Sequence, residues 1–252
     1  MPVNGRIFGL IGFPLSHSFS KQYFTEKFIR ENIPGCSYEL FSMESIESFP
    51  QLVASRKGLS GLNVTIPHKL RVMSFLDEIS EEAREIGAVN VIQFKNGKLK
   101  GYNSDAYGFE VSLRELLSQG NLQGADIQAF ILGTGGASLA VKYVLKKLNV
   151  AYQFVSRTRT NDNITYHEIT PELLGSHRLV INCTPLGTYP NEDTFPDLPY
   201  EAVTDHHFFY DLVYNPALTV FLKKAQAKGS AVMNGLPMLH LQAEKSWEIW
   251  NQ

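Results

Sequence analysis

The chain has 252 residues, 44% of them hydrophobic, with 23 Lys and Arg against 25 Asp and Glu for a formal net charge of -2. That length allows one large domain or two modest ones with a substantial core. The balanced charge, with no run of like sign, offers no basic face for nucleic acid; no apolar stretch reaches the length that spans a bilayer; and two cysteines, Cys36 and Cys183, are too few for a disulfide framework.

Arg6–Ile11 is an apolar run of strand length, and the lack of a small-residue cleavage pattern after it leads us to expect a cytoplasmic chain with reduced thiols. Ser20–Glu31 follows as an amphipathic helix, with Tyr23, Phe24, Lys27 and Phe28 at helical spacing. Tyr38–Phe41 reads as a strand, Ile46–Arg56 as a helix and Leu62–Val64 as a strand, and after Pro67 a helix-like run begins. Val89–Phe94 and Leu99–Tyr102 flank Asn96-Gly97, a strong hairpin signal. Repeated strand–helix–strand units predict a mostly parallel sheet, to which the hairpin adds an antiparallel part.

Tyr107–Leu117 is helical in pattern until Gly120 and Gly124 break it. A second series then opens, with Ile127–Leu132 as a strand, Ser138–Leu148 as a helix, a turn at Asn149 and Tyr152–Val155 as the next strand. Leu179–Asn182, Phe208–Asp211 and Ala231–Met233 read as later strands of the same sheet. Pro237–Trp250 closes the chain as a helix with Leu239, Leu241, Trp247 and Trp250 as apolar contacts. The domain junction is placed near Asp105, and a second hinge near Gly235.

The residues suited to chemistry fall at strand ends. Gly61-Leu62-Asn63-Val64-Thr65-Ile66-Pro67-His68-Lys69 delivers a hydroxyl and an ammonium from one of them. A helix start there would set the positive end of a dipole beside Lys69, disfavouring a second cation; the plainer alternative is a surface lysine after a proline turn. Gly133-Thr134-Gly135-Gly136-Ala137-Ser138 is a strand end, a glycine turn and a helix start, where main-chain amides can approach a pyrophosphate. A turn that only packs strand against helix is the alternative there, and Ser138 departs from the general fingerprint. At the end of the next strand, where an NAD enzyme carries Asp or Glu, stand Ser156-Arg157-Thr158-Arg159. Two guanidiniums and two hydroxyls suit a 2′-phosphate, which predicts NADP, against the alternative of a solvated basic loop. Cys183 reads as a packed thiol. The seven histidines form no metal-ligand spacing, and no Gly-x-Ser-x-Gly elbow is present.

Taken in order, Gly12-Phe13-Pro14-Leu15-Ser16-His17-Ser18-Phe19-Ser20, Asn63-Val64-Thr65-Ile66-Pro67-His68-Lys69, Gly87-Ala88-Val89-Asn90, Asn103-Ser104-Asp105, the glycine turn, Asp211-Leu212-Val213-Tyr214-Asn215-Pro216 and Gly235-Leu236-Pro237-Met238-Leu239 with Gln242 span nearly the whole chain. Together they resemble the shikimate dehydrogenase family. The resemblance implies an α/β fold: an N-terminal substrate-binding α/β domain, residues 1–105 with 237–252, plus a Rossmann-type NADP-binding domain, 106–236, the C-terminal helix returning to the first domain. It implies a monomer or homodimer that reversibly reduces 3-dehydroshikimate to shikimate with NADPH, in aromatic amino-acid biosynthesis.

By the same resemblance Lys69 exchanges a proton with the substrate oxygen and Asp105 orients or assists; which of them holds the proton stays open, as does Asp105 as a mere helix cap. Ser18 and Ser20 are implied for the substrate carboxylate, and Thr65, Asn90, Asp105 and Gln242 for the ring hydroxyls, with Tyr214 closing over them. Gly133, Thr134, Gly135, Gly136 and Ala137 are implied for the pyrophosphate, Ser156, Arg157 and Thr158 for the adenosine end, and the backbone of Leu212 and Gly235 for the nicotinamide. His17 takes a structural loop role. Lys21, where the family often has proline, Ser104, Thr188 and Pro237 depart from the family pattern, Pro237 being expected to stiffen the second hinge. Two rivals stand beside this reading: a relative acting on quinate or an aminoshikimate with NAD, and a non-catalytic sensor of shikimate-like acids, against which the retention of Lys69 with Asp105 argues.

Overall fold

The computed structural model describes residues 5–15, 18–120 and 127–252, so His17 and Gly124 lie outside the described residues. The chain divides into two compact units. One runs to Ser104 and is completed by Ala243–Gln252; the other is Asp105–Gln242.

In the first unit the strands are β1 (Arg6–Gly12), β2 (Cys36–Ser42), β3 (Leu59–Val64), β4 (Glu78–Ile79), β5 (Val91–Lys95) and β6 (Lys98–Tyr102), ordered β2-β1-β3-β5-β6-β4. β1 pairs in parallel with β2 and β3, while β5 is antiparallel to both β3 and β6. The β5–β6 turn takes positive φ at Asn96 and Gly97, 54° and 75°, which matches the right-handed strand twist. Alternation along each strand divides the core between the two faces. On one face Leu62, Val64 and Ile92 meet α2 (Phe49–Ser55) and α3 (Glu81–Ile86) through Phe49 and Ala83. On the other, Phe8 and Tyr38 meet α1 (Phe19–Arg30) and the end of the last helix through Phe24, Phe28 and Trp250.

The helix expected over Ile46–Arg56 is a 3-10 turn, Ile46–Ser48, running into α2. The run after Pro67 is not an α-helix: turns lead into a 3-10 helix, Arg71–Phe75. β4 and α3 escaped the periodicity reading, because two and six residues are too few to repeat. Ser80 capping Ala83 N–H and Gly87 at φ 78° bound α3 all the same.

The second unit opens with α4 (Asp105–Ser118) and builds a six-stranded sheet from β7 (Gln128–Leu132), β8 (Ala151–Ser156), β9 (Asn163–Thr165), β10 (Leu179–Asn182), β11 (Phe208–Asp211) and β12 (Ala231–Met233). Every pairing is parallel and the order is β12-β11-β10-β7-β8-β9. Read from the other edge this is third, second, first, fourth, fifth, sixth, the doubly wound dinucleotide-binding order. Tyr210 faces α4, with its ring edge on Phe109 and its hydroxyl 2.7 Å from Ser112 Oγ. The opposite face packs Phe130, Val180 and Phe209 on α6 (Pro171–Ser176) and α7 (Val220–Gln226) through Leu174 and Phe221. α5 (Gly136–Lys147) joins β7 to β8. The final helix, α8 (Leu236–Trp250), gives its residues through Gln242 to this unit and the rest to the first. Pro237 sits in its first turn, where a missing N–H costs no helical bond.

Candidate active site

In the first sheet the chain leaves β1 for β2 and then crosses back past β1 to β3, so a topological switch lies beside the carboxyl end of β1. Because β5 runs against its neighbours, its start meets the ends of β1, β3 and β6 at one sheet edge. Three segments converge there: the turn from Thr65 to Lys69, Asn90, and Asn103-Ser104.

Main-chain bonds join them. Thr65 N–H donates to Ile11 O at 2.9 Å, Val64 N–H to Asn90 O at 2.9 Å, Val89 N–H to Lys69 O at 2.8 Å and Asn90 N–H to Tyr102 O at 3.0 Å. His68, 1% exposed, anchors the turn: its N–H donates to Thr65 O, and its Nε2 lies 2.6 Å from Met43 O. Thr65 and Lys69 themselves are half-buried. The element beyond the turn is a five-residue 3-10 helix, Arg71–Phe75, and not the α-helix expected beside Lys69.

A buried side-chain chain runs beneath the same edge. Tyr38 Oη donates to Asn63 Oδ1 at 2.8 Å, Asn63 Nδ2 to Ser246 Oγ at 2.9 Å, and the Ser246 and Ser104 hydroxyls meet at 3.2 Å. Asn90 closes it, donating to Ser104 Oγ at 3.0 Å and accepting from Ser104 N–H at 2.7 Å. Desolvation pushes the Tyr38 hydroxyl far above its usual range, so it stays a neutral donor, and Ser20 hydrogen-bonds it as well. Ser18 caps α1, accepting from Lys21 N–H at 3.3 Å, a donor that a proline at this position would lack. Sequence reasoning gave Asn63, Tyr38 and Ser246 no role; an asparagine inside an otherwise apolar strand was the legible sign.

Asp105 is the first residue of α4 and is 6% exposed. Gln242 is nearly buried on α8, its Nε2 donating to Leu239 O at 3.0 Å, and Tyr214 lies in the loop after β11. Both belong, with Asp105, to the second unit.

At the switch point of the second sheet, β7 ends in Gly133 at φ 96° and α5 starts on Gly135, over which an added Cβ meets nothing within 4 Å. Thr134 and Gly135 are exposed, with Gly136 and Ala137 behind them in the first turn. This leaves room and main-chain donors for a pyrophosphate. Ser138 is fully buried and donates to Gly135 O at 2.6 Å, which explains how a hydroxyl replaces the small apolar residue of the general fingerprint. Ser156 ends β8, and Arg157 and Thr158 are exposed just beyond it. Arg159 is ion-paired with Glu168, whose carboxylate also accepts from Thr165 N–H and Oγ1. The Thr165-x-x-Glu168 capping pattern was the sign that the sequence reading passed over. The chemistry of these residues fits a 2′-phosphorylated dinucleotide.

Across the crevice, β10 and β11 end in Asn182 and Asp211, both fully buried. Asp211 Oδ1 accepts from Asn182 Nδ2 at 2.9 Å and Val213 N–H at 3.0 Å, and Oδ2 from Thr219 Oγ1 at 2.6 Å. The Leu212 carbonyl is close to Gly235, where an added Cβ would lie 2.1 Å from it. Cys183 is a poor nucleophile, since burial, and then the Asp211 carboxylate, push its thiol up.

Burial also raises the Asp211 carboxyl from 3.8 to about 6 despite its three hydrogen bonds. A raised carboxyl holds its proton longer in the folded state, so its contribution to stability is complete below the unfolded value and is lost as pH rises through about 6. The loss is about 3 kcal/mol over that span. Urea unfolding of wild type and Asp211→Asn is therefore expected to show the difference moving toward the variant by about that amount between about pH 4 and about pH 8. A difference that does not change with pH refutes it.

Comparison with known proteins adds the following. Residues 10–92 match the family model described as shikimate dehydrogenase substrate binding domain. The chain is 35% identical to the shikimate dehydrogenase (NADP(+)) of Methanococcus aeolicus, over 97% of this chain and 91% of that one. It is 37% identical to that of Carboxydothermus hydrogenoformans, over 99% and 94%. Among solved structures, the shikimate 5-dehydrogenase of Thermus thermophilus in complex with NADP(H) and shikimate superposes with a TM-score of 0.83 at 31% identity, over 97% of this chain and 93% of that one.

Proposed function

The chain belongs to the shikimate dehydrogenase family, and we propose that within it Lys69 and Asp105 handle the proton while Ser18, Ser20, Thr65, Asn90, Tyr214 and Gln242 hold the substrate. The reaction is the reversible NADPH-dependent reduction of 3-dehydroshikimate to shikimate, in the shikimate pathway. The observation that carries the residue assignment is the convergence of Thr65, Lys69, Asn90 and Ser104 on one edge of the first sheet.

NADPH, when bound, supplies the hydride that reduces the ketone. As the oxygen gains charge it needs a proton, and the Lys69 ammonium is the donor, with Asp105 orienting it. Running backward, the neutral amine takes the hydroxyl proton from shikimate. Thr65 and Asn90 hold ring hydroxyls, and a locked Asn90 amide loses little freedom on binding, since Ser104 already fixes it. Ser18 and Ser20 meet the carboxylate, and Tyr214 closes over the ring. Gly133, Thr134, Gly135, Gly136 and Ala137 hold the pyrophosphate, Ser156, Arg157 and Thr158 the adenosine end, and Leu212 and Gly235 the nicotinamide. We assign the substrate role to the first unit and the NADP role to the second, in a cytoplasmic monomer or homodimer.

A spectrophotometric assay pairing 3-dehydroshikimate, 3-dehydroquinate and an aminoshikimate precursor with NADPH and with NADH tests the reading. The highest kcat/KM is expected for 3-dehydroshikimate with NADPH. Faster quinate chemistry with NADH would favour the rival dehydrogenase, and no turnover with any pair would favour the sensor.

Arg157→Ala is expected to raise KM for NADP by about tenfold, about 1.4 kcal/mol, and to leave NAD use nearly unchanged, because only NADP carries the 2′-phosphate. Arg159→Ala should raise the KM for NADP by less than Arg157→Ala does, since Glu168 competes for its guanidinium. Equal losses with both cofactors, or a larger effect at Arg159, would overturn this assignment.

A further inference from the structure

The proton chemistry leaves one buried carboxylate unused. Asp211 is wholly excluded from solvent, yet it gathers donors from three places: Asn182 at the end of β10, its own following loop at Val213, and Thr219, which caps α7 through Leu222 N–H. Asn182 extends the reach, its Oδ1 accepting from both Thr184 N–H at 3.0 Å and Thr184 Oγ1 at 2.6 Å. One carboxylate therefore ties together the two turns that follow β10 and β11, Asn182–Leu186 and Asp211–Thr219.

We propose that Asp211 is a positioning residue for the nicotinamide end of the cofactor site, holding the Leu212-Val213 backbone directly and the Thr184 turn through Asn182. The inference rests on the reading of this unit as the NADP-binding one. A neutral apolar side chain would fill the same space without the cost of a buried charge, so packing alone does not call for a carboxylate here. Directional bonds to three fixed donors do call for one. The Leu212 main chain has little slack, hemmed by Gly235 at the distance that excludes a Cβ and bonded through Leu212 N–H to Asn182 O at 2.9 Å. Releasing the carboxylate leaves three donors unpaired, among them Val213 N–H of the Leu212-Val213 peptide. A hydride donor displaced by a fraction of an ångström is a large loss in rate, whereas the adenine end, bound across β7 and β8, is untouched.

Asp211→Asn keeps one acceptor oxygen for Asn182 and Val213 and turns its amide toward Thr219; Asp211→Ala removes all three bonds. Calorimetry with NADPH and with adenosine 2′,5′-bisphosphate, which lacks the nicotinamide, is read beside kcat at saturation. Asp211→Ala is expected to weaken NADPH about tenfold and to lower kcat about tenfold or more, with the bisphosphate affinity unchanged within about twofold. Asp211→Asn should restore both losses to within about threefold. Thr219→Val, which removes the donor to Asp211 Oδ2 together with the cap on Leu222 N–H, should show the same pattern at about threefold even where the alanine variant does not fold, and Thr219→Ser, which keeps both bonds, should restore it. Parallel loss of both ligands, or unchanged NADPH affinity and kcat in Thr219→Val, would mean a structural clamp only and overturn the inference. A wild-type protein that does not bind the bisphosphate would bring down the NADP reading itself, and this inference with it.

Discussion

Lys69→Ala is expected to lower kcat by about a hundredfold or more, the usual loss when a general acid–base group is deleted, with a much smaller change in substrate affinity. Val89 N–H on Lys69 O, His68 N–H on Thr65 O and the His68 ring against Met43 O help shape its turn, and these three bonds remain in the variant. Without the ammonium the oxygen must take its proton from water as hydride arrives, and the developing charge goes unpaired in a desolvated site. Steady-state kinetics with 3-dehydroshikimate and NADPH, with circular dichroism as the check on folding, decide the matter. Wild-type turnover in the variant would remove Lys69 from the mechanism.

Trp250→Ala should cost the first unit about 3–5 kcal/mol. The indole is 4% exposed, with its ring 4.8 Å from Phe8 and 5.3 Å from Phe24, and its Nε1–H donates to Ile92 O at 3.1 Å. It lies directly on Gly61, where a Cβ would fall 2.3 Å from the ring. Deletion leaves a cavity between α1, α8 and the sheet, and removes a donor from Ile92 O on β5. Denaturant unfolding followed by far-ultraviolet dichroism measures the loss; a change below about 1 kcal/mol would sink this account of the packing. Gly61→Ala should also destabilise the wild type, and much less so with Ala at position 250, because the clash partner is then gone.

Much of this molecule was readable from local rules. The strands Leu179–Asn182, Phe208–Asp211 and Ala231–Met233 fall at their expected residues, because an apolar run bounded by turn formers has few other uses. Asn96-Gly97 specified its hairpin through the two positive φ angles that such a turn demands. The glycine turn before α5 and the absence of an acidic residue after β8 likewise depend on neighbours in the chain, as does the Asn63-to-Lys69 segment by which the family resemblance was recognised. The short elements were lost for the converse reason: α6 and α7, with six and seven residues, barely complete one period and take their stability from packing.

What the amino-acid sequence determined by itself is thus the series of long elements, the class of fold and the family, all of which follow from patterns within a few residues. Only the tertiary structure decided how individual polar groups are spent. Arg159 carries no local sign of its ion pair with Glu168, and Asn63, a strand residue as expected, gives no sign that its amide donates to Ser246, 183 residues away. Asp211 reads in the chain as a hydrophilic strand end, yet it is wholly buried among donors from β10 and α7. The physical reason is the same in each case: a hydrogen bond or ion pair depends on which strand lies beside which, and that neighbourhood is set by burying the two sheets' apolar faces, a collective outcome that no local pattern encodes.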